Sequence, residues 1–273
     1  MKIGIAGATS KGTELVKIFS QAGLDVLLMD SKREALETAT ADIRKALEQT
    51  SSLMERVQIS QDRKALSKND WILSTMGDEE TISLFKELEE STEAYFASTS
   101  ATLAVTKLSR SLKKGERVVG LHFIEPVAHF KFVEIVRGVL TSSEAMGKGG
   151  ELVKKIGFHS VTAHDFPGFL IYRVVAPMIN EAIFALYEGL APAEEIDRAL
   201  NAVTGQPVGP LALADEIGLD TLLSVLKEMQ SGNPKFTPCP LLSKYVEAGY
   251  TGRKAGKGFY DHRQPAQLNL VVS

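Results

Sequence analysis

The sequence has a single cysteine and no long apolar run that is free of charge. With Cys239 alone among 273 residues, an intrachain disulfide and a cysteine-based metal cluster are excluded. The longest apolar stretch, residues 168–186, carries Arg173, Asn180 and Glu181, which a bilayer would penalise. We expect this stretch to form a helix buried in protein, and we expect no membrane as a partner.

An excess of charge of one sign is also lacking. The chain has 31 basic and 34 acidic residues, a net charge of −3, so no electrostatic excess attracts nucleic acid or anionic lipid. The first residues, MKIGIAGATSKG, lack the basic start, long apolar segment and cleavage site of a signal peptide. We therefore expect a cytoplasmic protein whose partner is a small molecule rather than a nucleic acid.

The N-terminal part alternates between strand-like and helix-like segments. Residues 2–7 predict a buried strand, and residues 12–19 have apolar positions at helical spacing. A second strand is predicted at 25–29. Further strands are predicted at 57–59, 71–75, 95–98 and 118–123, and further helices at 32–54 and 79–88. This alternation predicts an α/β fold, a Rossmann-type doubly wound sheet.

The pattern changes after about residue 163, where long helical periodicities such as 194–203 and 218–229 take over. A Pro-Gly pair at Pro167 offers a boundary, and Pro167 is expected in the first turn of the next helix. The sequence thus predicts a Rossmann domain at 1–164 and an all-α domain at 165–273. From His262 onwards we expect a loosely held tail.

The first strand-to-helix turn has the features of a dinucleotide site. Gly7 and Gly12 occupy the first and third positions of a Gly-x-Gly-x-x-Gly motif, and Thr9 occupies the second. The Cβ atom of Thr9 is expected to crowd a phosphate, unless a hydroxyl of Thr9 or Ser10 donates to that phosphate. Asp30, at the end of the second strand, is placed to bind the ribose and to repel the additional phosphate of NADP. NAD is the expected cofactor, with NADP and an ordinary tight turn as alternatives.

His122 and Glu134 are the candidates for acid–base chemistry. His122 ends a predicted strand, and Glu134 lies twelve residues later in an otherwise apolar strand-like stretch. A carboxylate bonded to one ring nitrogen stabilises the imidazolium that forms when the other nitrogen removes a hydroxyl proton. A buried histidine with an unrelated glutamate is an alternative. A metal site with His129 and either His159 or His164 lacks a recognised ligand spacing, so no metal is expected.

Five ordered blocks of the chain resemble the L-3-hydroxyacyl-CoA dehydrogenase family. They are Gly120-Leu-His122-Phe-x-x-Pro126 with residues 132–138, Pro167-Gly-Phe-x-x-x-Arg173, residues 177–182, residues 207–220 and residues 252–260. The resemblance implies an NAD-binding Rossmann domain, a helical domain that forms a homodimer, and interconversion of an L-3-hydroxyacyl-CoA and a 3-ketoacyl-CoA in fatty acid metabolism. In that scheme His122 is the general base and Glu134 orients it.

The chain departs from the family pattern around the substrate. Ala101 stands where the family has a hydroxyl near the substrate oxygen, and Glu125 and Tyr172 stand where it has asparagines. Thr102, Glu125 and Tyr172 are therefore the candidate substrate-site residues. A carboxylate at Glu125 is expected to favour the protonated form of His122. The helical arm that covers the CoA in the family is short here.

These departures leave two alternatives open. One is the same chemistry on a β-hydroxy acid without CoA, and the other is a dimeric nucleotide-binding homologue with little catalysis. Residues 207–210, Asp215 and Asp220 are expected to cap and join helices rather than to contact substrate.

Overall fold

The computed structural model describes residues 1–47 and 51–263, without the side chains of residues 51 and 52. It divides into two compact units, Met1–Leu170 and Ile171–Ser273. The division falls slightly later than the boundary predicted after residue 164. Pro167 precedes the next helix, which begins at Ile171, so its predicted place in the first helical turn is wrong. Gly168 and Phe169 both have positive φ angles, and this turn delays the helix.

Unit 1 is built on a single sheet. Its strands within the described residues are β1 (Lys2–Ala6), β2 (Asp25–Met29), β3 (Val57–Ser60), β4 (Trp71–Ser74), β5 (Tyr95–Ser98), β6 (Val118–Phe123), β7 (Phe132–Arg137) and β8 (His159–His164). The strand order is β3-β2-β1-β4-β5-β6-β7-β8. All neighbouring strands are parallel except β6 and β7, which are antiparallel. The predicted doubly wound α/β sheet is confirmed.

The strands are buried on both faces because helices cover both. Ile3 and Ile5 of β1 belong to one hydrophobic core, whereas Ala6 belongs to another. Successive residues of a strand point to opposite faces, so the two cores lie on opposite sides of the sheet. Near-continuous apolar strands are typical of such parallel sheets, which explains why β1, β2 and β4 are visible in the sequence.

The helices of unit 1 connect these strands. They are α1 (Ser10–Gln21), α2 (Arg33–Leu47), α3 (Ser51–Met54), α4 (Asp78–Leu88), α5 (Val105–Arg110), α6 (Val127–Phe130) and α7 (Ser143–Lys155). The helix predicted over 32–54 includes residues 48–50, which lie outside the described residues, and its described parts are α2 and α3. Helices α5 and α7 and strand β8 were not predicted from the sequence.

Unit 2 is helical. It contains α8 (Ile171–Tyr187), α9 (Ala193–Thr204), α10 (Pro210–Ile217), α11 (Leu219–Gly232) and α12 (Pro240–Glu247) within its described part. The predicted all-α character of the C-terminal domain is therefore confirmed. Among the described residues, no helix is both long enough and apolar enough to cross a membrane.

Two buried carboxylates organise the loops of unit 2. Asp197 accepts hydrogen bonds from the first backbone N–H groups of α10, at Leu211 and Ala212. Asp215 accepts from the backbone N–H groups of Phe259 and Tyr260. The His262 ring also bonds Asp215, at 2.8 Å, so the predicted tail does not begin at His262, and residues 264–273 lie outside the described residues. The sequence blocks at 207–220 and 252–260 thus join the ends of helices.

Candidate active site

The antiparallel pairing of β6 with β7 brings His122 and Glu134 together. Their Cα atoms are direct partners in the register, and His122 Nδ1 lies 2.7 Å from Glu134 Oε2. The other carboxylate oxygen, Oε1, accepts from the backbone N–H of Leu170 at 2.8 Å. His122 is 1% exposed and Glu134 is 0% exposed. Because the carboxylate accepts, Nδ1 carries the hydrogen of the neutral ring, and the ring lone pair is on Nε2.

The surroundings of His122 favour its neutral form. Burial lowers the pKa of the His122 imidazole below its ordinary value, whereas the hydrogen bond and charge of Glu134 raise it. Lys11 lowers the pKa further and Glu125 raises it. The Phe169 ring, with its centroid 5.4 Å from that of His122, adds apolar surface. Glu125 thus favours the protonated form of His122, as expected, but burial has the larger effect and the pKa is lowered overall.

The glycine turn between β1 and α1 fits a pyrophosphate. Gly7 has a φ angle of +106°, and a Cβ atom there would lie 2.7 Å from Thr75 Oγ1. A Cβ atom on Gly12 would overlap the Gly7 carbonyl oxygen. The first turn of α1 contains no acidic side chain, so its N–H groups and the helix dipole favour an anion.

Thr9 holds the glycine turn in shape. It is the N-cap of α1, and its hydroxyl accepts from the Gly12 backbone N–H at 3.0 Å. The same hydroxyl donates to Thr75 Oγ1 at 2.9 Å. Thr75 in turn donates to the Gly7 carbonyl oxygen. The Thr9 hydroxyl is thus used to cap the helix and close the turn, while Ser10 is exposed.

Asp30 closes the turn from the other side. Its Oδ2 accepts from the backbone N–H of Ala8 and its Oδ1 from that of Lys32, each at 2.9 Å. The carboxylate therefore lies against the glycine turn, at the end of β2. A carboxylate oxygen can accept more than one hydrogen bond, so Asp30 retains acceptor capacity for ribose hydroxyls.

The candidate substrate-site residues belong to different segments of the two units. The Thr102 hydroxyl donates to Asp78 at the start of α4, 3.3 Å away. Ala101 is half-buried in the same loop. Glu125 follows β6 and forms an ion pair with Lys11. Tyr172 belongs to unit 2, where it is buried in the first turn of α8.

Three residues that were not predicted as site residues hold the loops around His122. Glu14 of α1 accepts from two backbone N–H groups at the start of α6. Asp165 accepts from the first two N–H groups of α5. Lys11 pairs with Glu125. A lysine in the first turn of a helix is disfavoured by the helix dipole, and this misplaced charge was the available signal for an acidic partner.

Metal binding has no support in the geometry of the described residues. His129, His159 and His164 are exposed. Across residues 1–47 and 51–263, no three His, Cys, Asp or Glu side chains form a group that would hold a metal ion.

The chain matches one family along nearly all of its length. Residues 2–166 match 3-hydroxyacyl-CoA dehydrogenase, NAD binding domain, and residues 168–262 match 3-hydroxyacyl-CoA dehydrogenase, C-terminal domain. A 3-hydroxybutyryl-CoA dehydrogenase of Bradyrhizobium diazoefficiens is 36% identical, over 96% of this chain and 95% of the relative. A probable 3-hydroxybutyryl-CoA dehydrogenase of Bacillus subtilis is also 36% identical, over 96% of this chain and 98% of the relative.

A solved structure extends this similarity to the fold. The crystal structure of (S)-3-hydroxybutyryl-CoA dehydrogenase from Ralstonia eutropha has a TM-score of 0.87 and 31% identity, and the match covers 96% of this chain and 99% of that chain. The matched N-terminal domain identifies NAD as the cofactor. The chain therefore belongs to the 3-hydroxyacyl-CoA dehydrogenase family of NAD-dependent oxidoreductases.

Proposed function

We propose that this chain interconverts an L-3-hydroxyacyl-CoA and the corresponding 3-ketoacyl-CoA, with His122 as the general base and Glu134 as the residue that orients it. The observation that carries the proposal is the buried His122–Glu134 pair near the carboxyl end of β6, where doubly wound sheets bind their ligands. The names of the relatives in Bradyrhizobium and Bacillus point to 3-hydroxybutyryl-CoA as the first substrate to test.

The chemistry follows from the two ring nitrogens of His122. Nδ1 donates to Glu134 Oε2, which holds the ring orientation and the tautomer. Nε2 takes the proton of the 3-hydroxyl group during oxidation and returns it to the 3-keto oxygen during reduction. The imidazolium that forms faces the Glu134 carboxylate, whose charge stabilises it. Bound NAD supplies the acceptor or donor of the hydride at the β-carbon.

The cofactor is held in this proposal by the turn after β1 and the end of β2. Gly7 and Gly12 allow the backbone to approach the pyrophosphate, and Ser10 in the first turn of α1 donates to it. Thr9 acts indirectly, because its hydroxyl holds the turn in shape. Asp30 accepts the hydroxyls of the adenosine ribose.

A spectrophotometric assay tests the proposal. The absorbance of NADH is followed while the purified protein is offered acetoacetyl-CoA, with His122→Ala beside the wild type. Removal of the general base is expected to lower the rate by about 10²- to 10⁴-fold. His159→Ala, which alters an exposed histidine of β8, is the matched control and is expected to keep its activity. A wild-type protein that binds NADH and does not turn over acetoacetyl-CoA would overturn the proposal.

A second candidate is the same reaction on a β-hydroxy acid that carries no CoA. It is favoured by the missing hydroxyl at Ala101 and by the ion pair at Glu125. Parallel assays with 3-hydroxybutyryl-CoA and with free 3-hydroxy acids separate the two candidates by their kcat/KM values. Activity in neither assay, together with tight NAD binding, would favour a nucleotide-binding homologue with little catalysis.

We also propose a homodimer that works in the cytoplasm, in fatty acid metabolism. The dimer is supported by exposed apolar side chains of unit 2, namely Val174, Leu190 and Val203. The cytoplasm is supported by the single cysteine, Cys239, which is free and buried and fits a reducing compartment. Light scattering after gel filtration tests the dimer, and cell fractionation tests the location.

A further inference from the structure

Lys11 connects three segments at the edge of the sheet where His122 lies. It belongs to the first turn of α1, and its Nζ atom lies 3.5 Å from Glu125 Oε2, in the loop that follows β6. The same ammonium group donates to the carbonyl oxygen of Thr99, in the loop that follows β5, at 3.3 Å. The Lys11 side chain is only 16% exposed. A cation at this end of a helix opposes the helix dipole, so its partners must outweigh that cost.

Glu125 is the second half of this arrangement. It follows His122 by three residues, and its side chain is 33% exposed. The family resemblance leads one to expect a neutral asparagine at this position, so the negative charge is a feature of this chain. Without Lys11, His122 would face two carboxylates, Glu125 and Glu134, and its pKa would rise. The neutral ring, which accepts the proton, would then be lost at a higher pH.

The other charged groups near β6 are engaged elsewhere. Glu14 of α1 accepts from the backbone at the start of α6, and Asp165 accepts from the backbone at the start of α5. The neighbouring strand β5 ends in the uncharged Ser98. Glu144 of α7 accepts from the Tyr95 hydroxyl. Among the described residues of unit 1, Glu134 from β7, Lys11 from α1 and Glu125 from the loop after β6 each act on the charge of His122.

We propose that Lys11 is a positioning residue of the active site, whose ammonium group neutralises Glu125 and ties α1 to the loops after β5 and β6. His122 then faces one carboxylate, Glu134, and one neutral ion pair. This inference rests on the proposed role of His122 as a proton acceptor. The charges at residues 11 and 125 act as a unit. Loss of either charge alone changes the proton affinity of His122, and loss of both charges restores that affinity.

The direct test is an NMR titration of the full-length protein with saturating NAD⁺. The chain has five histidines, and the ring signals of His122 are assigned by their loss in His122→Gln. Lys11→Met is expected to raise the pKa of His122 by about one unit, and Glu125→Gln to lower it by about one unit. The double variant is expected to return to the wild-type pKa. Lys11→Arg, which keeps the charge, is expected to stay near the wild type.

A kinetic test measures the same effect independently. The test uses the pH profile of kcat/KM for 3-hydroxybutyryl-CoA oxidation. On its acidic limb, kcat/KM of Lys11→Met is expected to be about tenfold below that of the wild type, which corresponds to one pKa unit. The double variant is expected to recover it. Lys86→Met, at an exposed position of α4, is the matched control and is expected to match the wild type in both experiments.

The outcomes separate this inference from the proposed function. Equal pKa values of His122 in the wild type and in both single variants would overturn the inference, as would shifts of the same sign in the two. Shifts of opposite sign without recovery in the double variant would also overturn it. Failure of the wild type to turn over any acyl-CoA would overturn the proposed function, while the NMR titration would still decide whether the pair acts on His122.

Discussion

Both units of this protein contain a histidine bonded to a buried carboxylate, and the two pairs differ in their surroundings. In unit 1, His122 Nδ1 lies 2.7 Å from Glu134. In unit 2, His262 Nε2 lies 2.8 Å from Asp215. Glu134 also accepts from the backbone N–H of Leu170. Asp215 accepts from the backbone N–H groups of Phe259 and Tyr260, which fix the turn that precedes His262. The contact between the two groups is therefore nearly identical, and it does not by itself identify a catalytic pair.

What distinguishes the pairs is their place in the fold. His122 lies near the carboxyl end of β6, on the edge where the glycine turn and α1 also begin. His262 lies in an irregular segment that Asp215 fastens to the end of α10. We infer that the first pair serves proton transfer and that the second maintains the structure of unit 2. Substitutions in the two pairs should therefore affect different measurements.

The largest expected effect is on catalysis, from Glu134→Gln. The amide has no charge to stabilise the imidazolium, so kcat is expected to fall by about 10²- to 10⁴-fold, the range for general acid–base catalysis. The melting temperature and the NADH affinity measured beside it report whether the fold is intact. Asp215→Asn is the matched variant, with a loss of about 1–3 kcal/mol of unfolding free energy and a near-normal kcat. A folded Asp215→Asn protein without activity would contradict this division.

The next effect is on stability, from Gly258→Ala. A Cβ atom at Gly258 would overlap Asp215 Oδ1, so the carboxylate must leave its backbone donors or the turn must move. We expect a loss of about 2–4 kcal/mol of unfolding free energy, as for other disrupted buried networks. Urea denaturation measures it, and Gly232→Ala, which has open space around its Cβ position, is the control. Equal stabilities of the two variants would show that the Asp215 turn is not tightly packed.

A pH profile separates the two histidines in a single experiment. Burial lowers the pKa of His122, so the neutral ring that accepts a proton persists to below its ordinary pKa of about 6.5. The kcat/KM value for alcohol oxidation is expected to be constant above the lowered pKa of His122 and to fall about tenfold per pH unit below it. His262→Gln is expected to leave this profile unchanged. A shift of the acidic limb in His262→Gln would mean that the two pairs do not act separately.

The same lowered pKa has a consequence for stability. The unfolded chain binds a proton at His122 more readily than the folded chain does. The contribution of His122 to stability is therefore fully present above the unfolded pKa of about 6.5 and is lost as the pH falls toward the folded pKa. In His122→Gln this part of the pH dependence is expected to disappear from urea denaturation curves measured on both sides of that value.

The strands in the interior of the sheet were predictable from the sequence, whereas the edge strand β8 was not. The strands β1, β4 and β6 were found because helices cover both faces of the sheet and make these strands almost wholly apolar. The strand β8 was missed because it lies at the sheet edge, where four of its six residues are exposed. The candidate pair His122 and Glu134 was found because each stands out as a polar residue in an apolar strand.

Contacts that depend on tertiary structure were not predictable. Lys11 and Glu125 are far apart in sequence, and they meet only because α1 begins and β6 ends at the same edge of the sheet. The hydrogen bond from the Thr9 hydroxyl to Thr75, which follows β4, also depends on the tertiary structure. His262 was assigned to a loose tail because nothing in the local sequence reveals Asp215, which holds it.

The smallest expected effect comes from His262→Gln. The glutamine amide can replace the ring N–H as a donor to Asp215, and two backbone donors remain in place. A neutral hydrogen bond contributes about 0.5–1.5 kcal/mol, so we expect a loss of about 1 kcal/mol or less in unfolding free energy and an unchanged kcat. In His122→Gln the same replacement keeps a donor near Glu134 but removes the proton acceptor, so kcat is expected to be lost while the fold persists. The same substitution is thus expected to lower stability at His262 and kcat at His122. Equal losses of kcat in the two variants would remove the distinction between the pairs.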